Sequence, residues 1–196
     1  MAIYVTSDAH GHVCALDEAL SKISLTSDDT LYVLGDMIDR GPDPVGVIKL
    51  VRSLPNARVL KGNHEQIMLD AIIGQDPLDA ETWDINGGWT TRQQLNDMEF
   101  EAYEELVRWM ATLPLYAVVE TAERPFLLVH AGIQTEAARA FLLEHGVDCA
   151  DGGGAVDADG ELLQQMLAVQ SSDDLLWIRH GYWDAPTGLL SAEGKG

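Results

Sequence analysis

Four apolar, β-prone runs in this chain each give way at once to a polar motif that contains glycine. Residues 2–7 lead into Ser7-Asp8-Ala9-His10-Gly11, and residues 31–34 into Gly35-Asp36-Met37-Ile38-Asp39-Arg40-Gly41. Residues 57–60 lead into Gly62-Asn63-His64-Glu65, and residues 126–130 into His130-Ala131-Gly132. Helical patterns separate or follow the first three runs. Residues 13–23 carry Val13, Leu16, Ala19, Leu20 and Ile23 on one face, residues 44–54 open with a proline in the first turn, and residues 64–73 follow the third run. Strand alternating with helix predicts an α/β fold built on parallel strands. Ligands in such sheets bind beyond the carboxyl ends of the strands, so the four motifs are expected to converge on one crevice.

The remainder is less regular. Residues 74–91, rich in Asp, Gly, Asn and Trp, read as a loop with at most a short helix. Residues 100–113 form a helix stopped by Pro114, and 115–119 and 126–130 are two strands joined by a polar, hairpin-like connection. Residues 135–145 form a helix ended by Gly146 in the left-handed cap position. Residues 148–160 are an acidic, glycine-rich loop. No repeat or linker divides the sequence, so it reads as one domain over residues 1–196.

The residue types at the strand ends suit a pair of divalent metal ions. Carboxylates and imidazoles mixed with an amide favour a first-row ion such as manganese, iron or zinc over a thiolate site. Asp8 and His10, two apart on an extended segment, would project to the same side and grip one ion. Asp36 has two oxygens and could bridge to a second ion, which Asn63 and His130 could hold. Two cations about 3.5–4 Å apart would acidify a shared water and clamp a phosphoryl group. Taken singly, each residue has an ordinary structural role. Asn63, for example, could also cap the helix that follows it.

Charge narrows the partners. With 32 Asp and Glu against 12 Lys and Arg the formal net charge is −20, which repels nucleic acid and anionic membrane. A phosphate could be held only where cations are concentrated locally. The 196 residues contain no apolar run long enough to span a bilayer. The N-terminal sequence lacks the features of a secretory signal, so a cytoplasmic location is expected. The two cysteines, Cys14 and Cys149, are too few for a disulfide framework and are expected to be small buried or half-buried residues.

At these motifs the chain resembles the phosphoprotein phosphatase family of metallophosphoesterases, and in particular its small bacterial and phage serine/threonine phosphatases. That family is read by D-x-H-G, G-D-x-x-D-R-G, G-N-H-E and a later H-A-G, all present here. Leu175-Leu176-Trp177-Ile178-Arg179 resembles its downstream L-L-W-x-R, and Asn86-Gly87-Gly88 resembles a loop of the bacterial members. The resemblance implies a β-sandwich flanked by helices and two bound divalent ions, manganese foremost and iron or zinc as alternatives. Asp8, His10 and Asp36 would bind the first ion, and Asn63 and His130 would help bind the second. A metal-bridging hydroxide would attack phosphorus in line. His64, held by Asp39, would be the general acid for the leaving oxygen. Arg40 and Arg179 would clamp the phosphate oxygens, with Lys61 a further contact. The implied substrate is a phosphorylated protein or a small phosphomonoester.

One element of the family pattern is missing: the G-H-T or G-H-S motif that supplies a last metal histidine after the tryptophan–arginine segment. The expectation is a C-terminally incomplete domain that lacks the final strands, with His180 as a candidate substitute ligand. Two alternatives follow. The first is a catalytically weak phosphate-binding remnant. The second is a symmetrical dinucleoside tetraphosphate hydrolase, a related enzyme class that resembles this chain at the first motifs. That class typically lacks an acid at the position of Asp39 and has aspartate at that of Glu65.

Overall fold

The computed structural model describes residues 2–74, 76–122, 124–147 and 158–178. The chain forms two compact units, one ending at Pro114 and one beginning at Leu115. In the first unit β1 (Ile3–Thr6), α1 (Val13–Ile23), β2 (Thr30–Val33), α2 (Pro44–Ser53), β3 (Ala57–Val59) and α3 (Asn63–Ile73) alternate as the apolar patterns predict. Three helices follow: α4 (Pro77–Ile85), α5 (Trp89–Asn96) and α6 (Phe100–Ala111).

The three strands form a parallel sheet in the order β1-β2-β3. Tyr4 stands opposite Leu31, and Tyr32 opposite Arg58. The central strand is the apolar one: Leu31, Tyr32 and Val33 are all buried, whereas Ile3 and Val5 on β1 are exposed. Helix α2 begins where Asp43 accepts a hydrogen bond from the Gly46 N–H at 2.9 Å and Pro44 supplies a preset first turn. Its Val45, Val47, Ile48 and Val51 pack on the core, which Ile67, Met68 and Leu69 of α3 and Met110 of α6 extend. Parallel connection by helices therefore gathers the carboxyl ends of all three strands, and the motifs on them, at one edge of the sheet.

Residues 74–91 differ from the loop that the sequence suggests. Asp76 accepts from the Leu78 N–H at 2.9 Å with Pro77 behind it, a complete helix start that the surrounding polar residues conceal. The Asn86-Gly87-Gly88 segment then breaks the chain into two helices instead of leaving it irregular.

In the second unit β4 (Tyr116–Val119) and β5 (Phe126–Val129) pair antiparallel, with Tyr116 opposite Val129. Helix α7 (Thr135–Glu144) ends before Gly146, whose φ of 81° is the left-handed stop expected there. Helices α8 (Gly160–Ala168) and α9 (Ser172–Trp177) complete the unit. Each opens on a capping side chain: Asp159 accepts from the Leu162 N–H at 2.8 Å, and Ser171 from the Asp174 N–H at 3.0 Å. Their buried Leu163, Met166, Leu167 and Leu175 join Ala138 and Leu142 in a separate apolar cluster. No helix among the described residues is long and apolar enough to cross a membrane. Cys14 is exposed on α1, against the expectation of burial, because it falls on the solvent side of the apolar stripe. Cys149 lies outside the described residues.

Asp29, just before β2, ties the start of the sheet together. Its carboxylate accepts from the Ala2 N–H at 2.6 Å, the Thr26 hydroxyl at 2.7 Å and the Thr26 N–H at 3.1 Å. These donors, the Ala2 N–H first, hold the carboxyl below its ordinary value. A carboxyl whose folded pKa is depressed stabilises the fold above its unfolded value, about 3.9, and loses that contribution as pH falls through the folded one. Asp29→Asn is therefore expected to lower Tm at pH 7, with the gap to wild type narrowing below about pH 4. A gap equally wide at pH 3 and pH 7 in thermal melts would refute the role of the charge.

Candidate metal and phosphate site

Beyond β1, β2 and β3 three loops are stitched together through their backbones. The N–H groups of Asp8, His10 and Gly11 donate to the carbonyls of Gly35, Asp36 and Met37 at 3.3, 2.9 and 2.9 Å. The second and third loops touch so closely that a Cβ on Gly35 would fall 2.2 Å from the Gly62 nitrogen. The fully buried Glu65 carboxylate joins these two loops, accepting from the N–H groups of Asp36 (2.8 Å), Met37 (2.8 Å) and Gly62 (2.9 Å). Burial pushes the Glu65 carboxyl up, and the neighbouring Asp36 charge adds to this; the three N–H donors oppose it.

The loops do not continue the strands. Asp8, His10, Asp36, Asp39 and Arg40 have φ of 56°, 40°, 53°, 68° and 65°, all in the left-handed region. Asp8 and His10 therefore converge through a coiled backbone, not through the strand alternation that the sequence suggests. Each such residue costs on the order of 1 kcal/mol or more, and surrounding contacts must hold it in place. Met37 and Ile38 supply that hold on the second loop: both are fully buried in the core, between Asp36 and Asp39.

The side chains meet around two histidines whose rings pack edge to face with centroids 4.7 Å apart. The Nδ1 of His10 donates to the Ile38 carbonyl at 2.8 Å, which leaves the Nε2 lone pair facing inward. That Nε2 lies 3.6 Å from Asp36 Oδ2 and 3.8 Å from Asp8 Oδ1. Burial, aided by His64 and Arg40, keeps the His10 imidazole below its usual value, against the opposing pull of the Ile38 carbonyl and Asp36. The neutral form so favoured is the one that ligates metals. Asp36 is buried, and its Oδ1 accepts from the His64 N–H at 3.0 Å.

His64 is buried and donates from Nδ1 to Asp39 Oδ2 at 2.7 Å. Arg40 spans the two rings: its Nη2 donates to His64 Nε2 at 2.7 Å and its Nη1 to His10 Nε2 at 3.1 Å. Its own N–H donates to the Gly87 carbonyl at 3.0 Å. His10, Asp36 and His64 offer ligand atoms that all lie within 4.8 Å of one another. Imidazole nitrogens and carboxylate oxygens at this spacing, with the His10 tautomer fixed from behind, fit a divalent first-row ion.

Other expected residues are placed differently. Asn63 does not cap α3. It is the first helical residue and is buried, while Gly62 takes the cap position and Glu65 reaches back to its N–H. Lys61 donates to Gln66 Oε1 at 3.3 Å and to the Ala111 carbonyl at 3.4 Å, and burial lowers its ammonium below the usual value. His130 directly follows β5 in the second unit and is half-buried. Arg179 and His180 lie outside the described residues.

Two residues that the motifs do not contain complete the site. Trp83 of α4 is buried, and its Nε1 donates to Asp39 at 3.0 Å (Oδ1) and 3.2 Å (Oδ2). Thr91 of α5 donates from its hydroxyl to Asp39 Oδ1 at 2.6 Å and accepts from the Asp39 N–H at 2.9 Å. Trp89, by contrast, is exposed. Trp83 is legible as one of the two tryptophans that flank the Asn86-Gly87-Gly88 segment; for Thr91 the signal is indirect, that a buried carboxylate needs donors.

Comparison with known proteins agrees with this arrangement. Residues 1–186 match the calcineurin-like phosphoesterase family. Two curated relatives are bis(5'-nucleosyl)-tetraphosphatases, symmetrical, from Erwinia tasmaniensis and Salmonella paratyphi C. The first is 32% identical over 136 residues, which is 68% of this chain and 45% of the relative; the second is 32% identical over 135 residues, 68% and 44%. The chain thus spans less than half the length of these curated relatives. A crystal structure provisionally named a diadenosine tetraphosphatase superposes with a TM-score of 0.50 at 22% identity, covering 68% of this chain and 51% of that one. That likeness establishes a shared fold. On the extent of the family match, and with an α/β sheet carrying the site at its strand ends, the chain belongs to the calcineurin-like phosphoesterases, which are metal-dependent hydrolases.

Proposed function

We propose that this protein hydrolyses a phosphoric ester or anhydride at the cluster of Asp8, His10, Asp36, Asn63 and His64, and that its substrate is a symmetrical dinucleoside tetraphosphate. The observation that carries the hydrolytic reading is the convergence of His10, Asp36 and His64 on one point, with Arg40 alongside. Asp8, His10 and Asp36 would hold one divalent ion, and Asp36 and Asn63 would contribute to a second; the assignment of His130 as a further ligand rests on its sequence motif alone. When bound, the ions supply an acidified water and neutralise charge on the phosphoryl oxygens. Arg40 orients the phosphoryl group through its planar guanidinium. His64 would deliver a proton from Nε2 to the leaving oxygen once Arg40 Nη2, which donates to that nitrogen here, turns to the phosphoryl oxygens, while the Nδ1–H stays on Asp39.

The substrate reading is supported by the curated relatives, which carry that activity in their names. A second reading, a phosphomonoester on a protein serine or threonine, is favoured by the His64–Asp39 pair itself. An alkoxide leaving group needs protonation far more than a nucleoside phosphate does, and a histidine held by a buried carboxylate is suited to provide it.

Three outcomes test these assignments. Turnover is expected to require added divalent metal, with manganese effective, and Asp36→Asn should lose both bound metal and about a hundredfold or more in kcat. Metal content and activity of that variant equal to wild type would overturn the ligand role. His64→Asn is expected to slow glycerol 2-phosphate hydrolysis about a hundredfold while affecting p-nitrophenyl phosphate much less, because nitrophenolate leaves without a proton. Equal losses on both would remove His64 as the acid. Diadenosine tetraphosphate is expected to be cleaved with a kcat/KM at least about tenfold above that for a phosphoserine peptide, a difference of about 1.4 kcal/mol in transition-state stabilisation. The reverse order would move the assignment to the protein phosphatase reading.

A further inference from the structure

The Asp39 carboxylate is fully buried and takes hydrogen bonds from three different helices. His64 of α3 donates to Oδ2 at 2.7 Å, Thr91 of α5 to Oδ1 at 2.6 Å, and Trp83 of α4 to Oδ1 at 3.0 Å and Oδ2 at 3.2 Å. The Thr91 hydroxyl serves twice, because it also receives the Asp39 N–H at a residue whose φ is 68°. Room for the indole depends on Gly88, where a Cβ would lie 2.2 Å from the Trp83 ring. The adjacent Gly87 carbonyl receives the Arg40 N–H. The segment from Trp83 to Thr91 therefore supports Asp39 by side chains and Arg40 by backbone.

We propose that Trp83 and Thr91 are positioning residues that fix the His64–Asp39 pair for proton delivery. The inference rests on the reading of His64 as the proton donor. Both supporting groups are neutral donors, so they satisfy the carboxylate while leaving Oδ2 to accept from His64 Nδ1. With Oδ1 held by Thr91 and both oxygens reached by the indole, the carboxylate cannot rotate, and Oδ2 stays aimed at His64 Nδ1. That contact keeps a proton on Nδ1 and leaves Nε2 as the atom that exchanges its proton with the substrate. In the step itself a water oxygen bonds to phosphorus and gives up a proton, the P–O bond to the leaving group breaks with its electron pair going to the leaving oxygen, and the Nε2 proton neutralises that oxygen and leaves His64 neutral. A loosened Asp39 would let His64 shift its proton or tilt away, which penalises poor leaving groups and spares good ones.

The test uses Thr91→Val, which keeps the shape and removes the hydroxyl, Thr91→Ser, which restores it, and Trp83→Phe, which removes only the indole N–H. Thr91→Val and Trp83→Phe are expected to lose about tenfold more kcat on glycerol 2-phosphate than on p-nitrophenyl phosphate, with Thr91→Ser recovering most of the difference. Side-chain 15N shifts of His64 provide a readout that needs no turnover. They should report one Nδ1–H tautomer in wild type and Thr91→Ser, and a mixture in the other two variants. Unchanged tautomer and unchanged substrate ratio in Thr91→Val and Trp83→Phe would overturn the proposal, as would equal losses on both substrates that serine fails to rescue. If wild type hydrolyses neither monoester, the tautomer measurement alone decides whether Trp83 and Thr91 set the His64–Asp39 geometry, and an unchanged tautomer in Thr91→Val and Trp83→Phe then overturns the proposal.

Discussion

Everything at the strand ends depends on one buried carboxylate. Glu65 lies at the start of α3, yet two of its three hydrogen bonds reach the backbone of the loop that follows β2. Without that link the backbones of the second and third loops would be held together by the close approach of Gly35 and Gly62 and by the contacts of His64 with Asp36, Asp39 and Arg40. The link also fixes the direction of Asp36, since the N–H of Asp36 is one of the three donors and its Oδ1 in turn receives the His64 N–H. A carboxylate here is costly to bury, and its raised pKa records that cost. Three backbone N–H groups offset it because they would themselves be unsatisfied in the absence of an acceptor.

Strain is concentrated where these links are densest. Five of the six non-glycine residues with positive φ among the described residues belong to the first two loops, and four of those five are aspartate or histidine. Short polar side chains tolerate the left-handed region better than branched ones, but arginine gains no such relief. Arg40 is retained there because its neighbours over-determine it. Its N–H is bonded to Gly87, its guanidinium to two imidazoles, and the preceding Asp39 is held by Thr91. Met37 and Ile38 anchor the same loop from the core side, which keeps it from lifting off the sheet.

Much of this was legible in the sequence because strand, helix and motif all obey short-range rules. The period-3.6 pattern over Val13–Ile23 and the proline start of α2 place those helices to within a residue. The Asp39–His64 pair was implied by the family resemblance, and the two side chains meet at 2.7 Å. Less legible was anything set by tertiary contact. The helices α4 and α5 carry weak apolar periodicity, and their stability comes from capping by Asp76 and from the burial of Trp83 and Thr91 against Asp39. The left-handed turns at Asp8 and His10 are imposed by pairing with the second loop and leave no trace in residue spacing. The orientation of Lys61 depends on Gln66 and on the Ala111 carbonyl, fifty residues away in sequence.

The acids of the site divide by how their charge is met. Glu65 and Asp39 are enclosed by neutral donors, three backbone N–H groups for one and a hydroxyl, an indole and an imidazole for the other. Asp8 and Asp36 instead turn an oxygen toward the Nε2 of His10, an atom that carries a lone pair once Nδ1 is bonded to Ile38. Carboxylate oxygen facing an imidazole lone pair is repulsive in a neutral histidine; Arg40 Nη1, which donates to the same nitrogen at 3.1 Å, offsets part of this, and His10 is held toward its neutral form mainly by burial. Protonating His10 would relieve that repulsion, but burial and the neighbouring Arg40 and His64 act against it. A divalent cation bound beside His10 and Asp36 would relieve it directly. In a chain of net charge −20 the same cation brings the positive charge that a phosphoryl group needs in order to approach. The arrangement of donors and the charge of the whole molecule thus make the same demand, a cation beside His10 and Asp36.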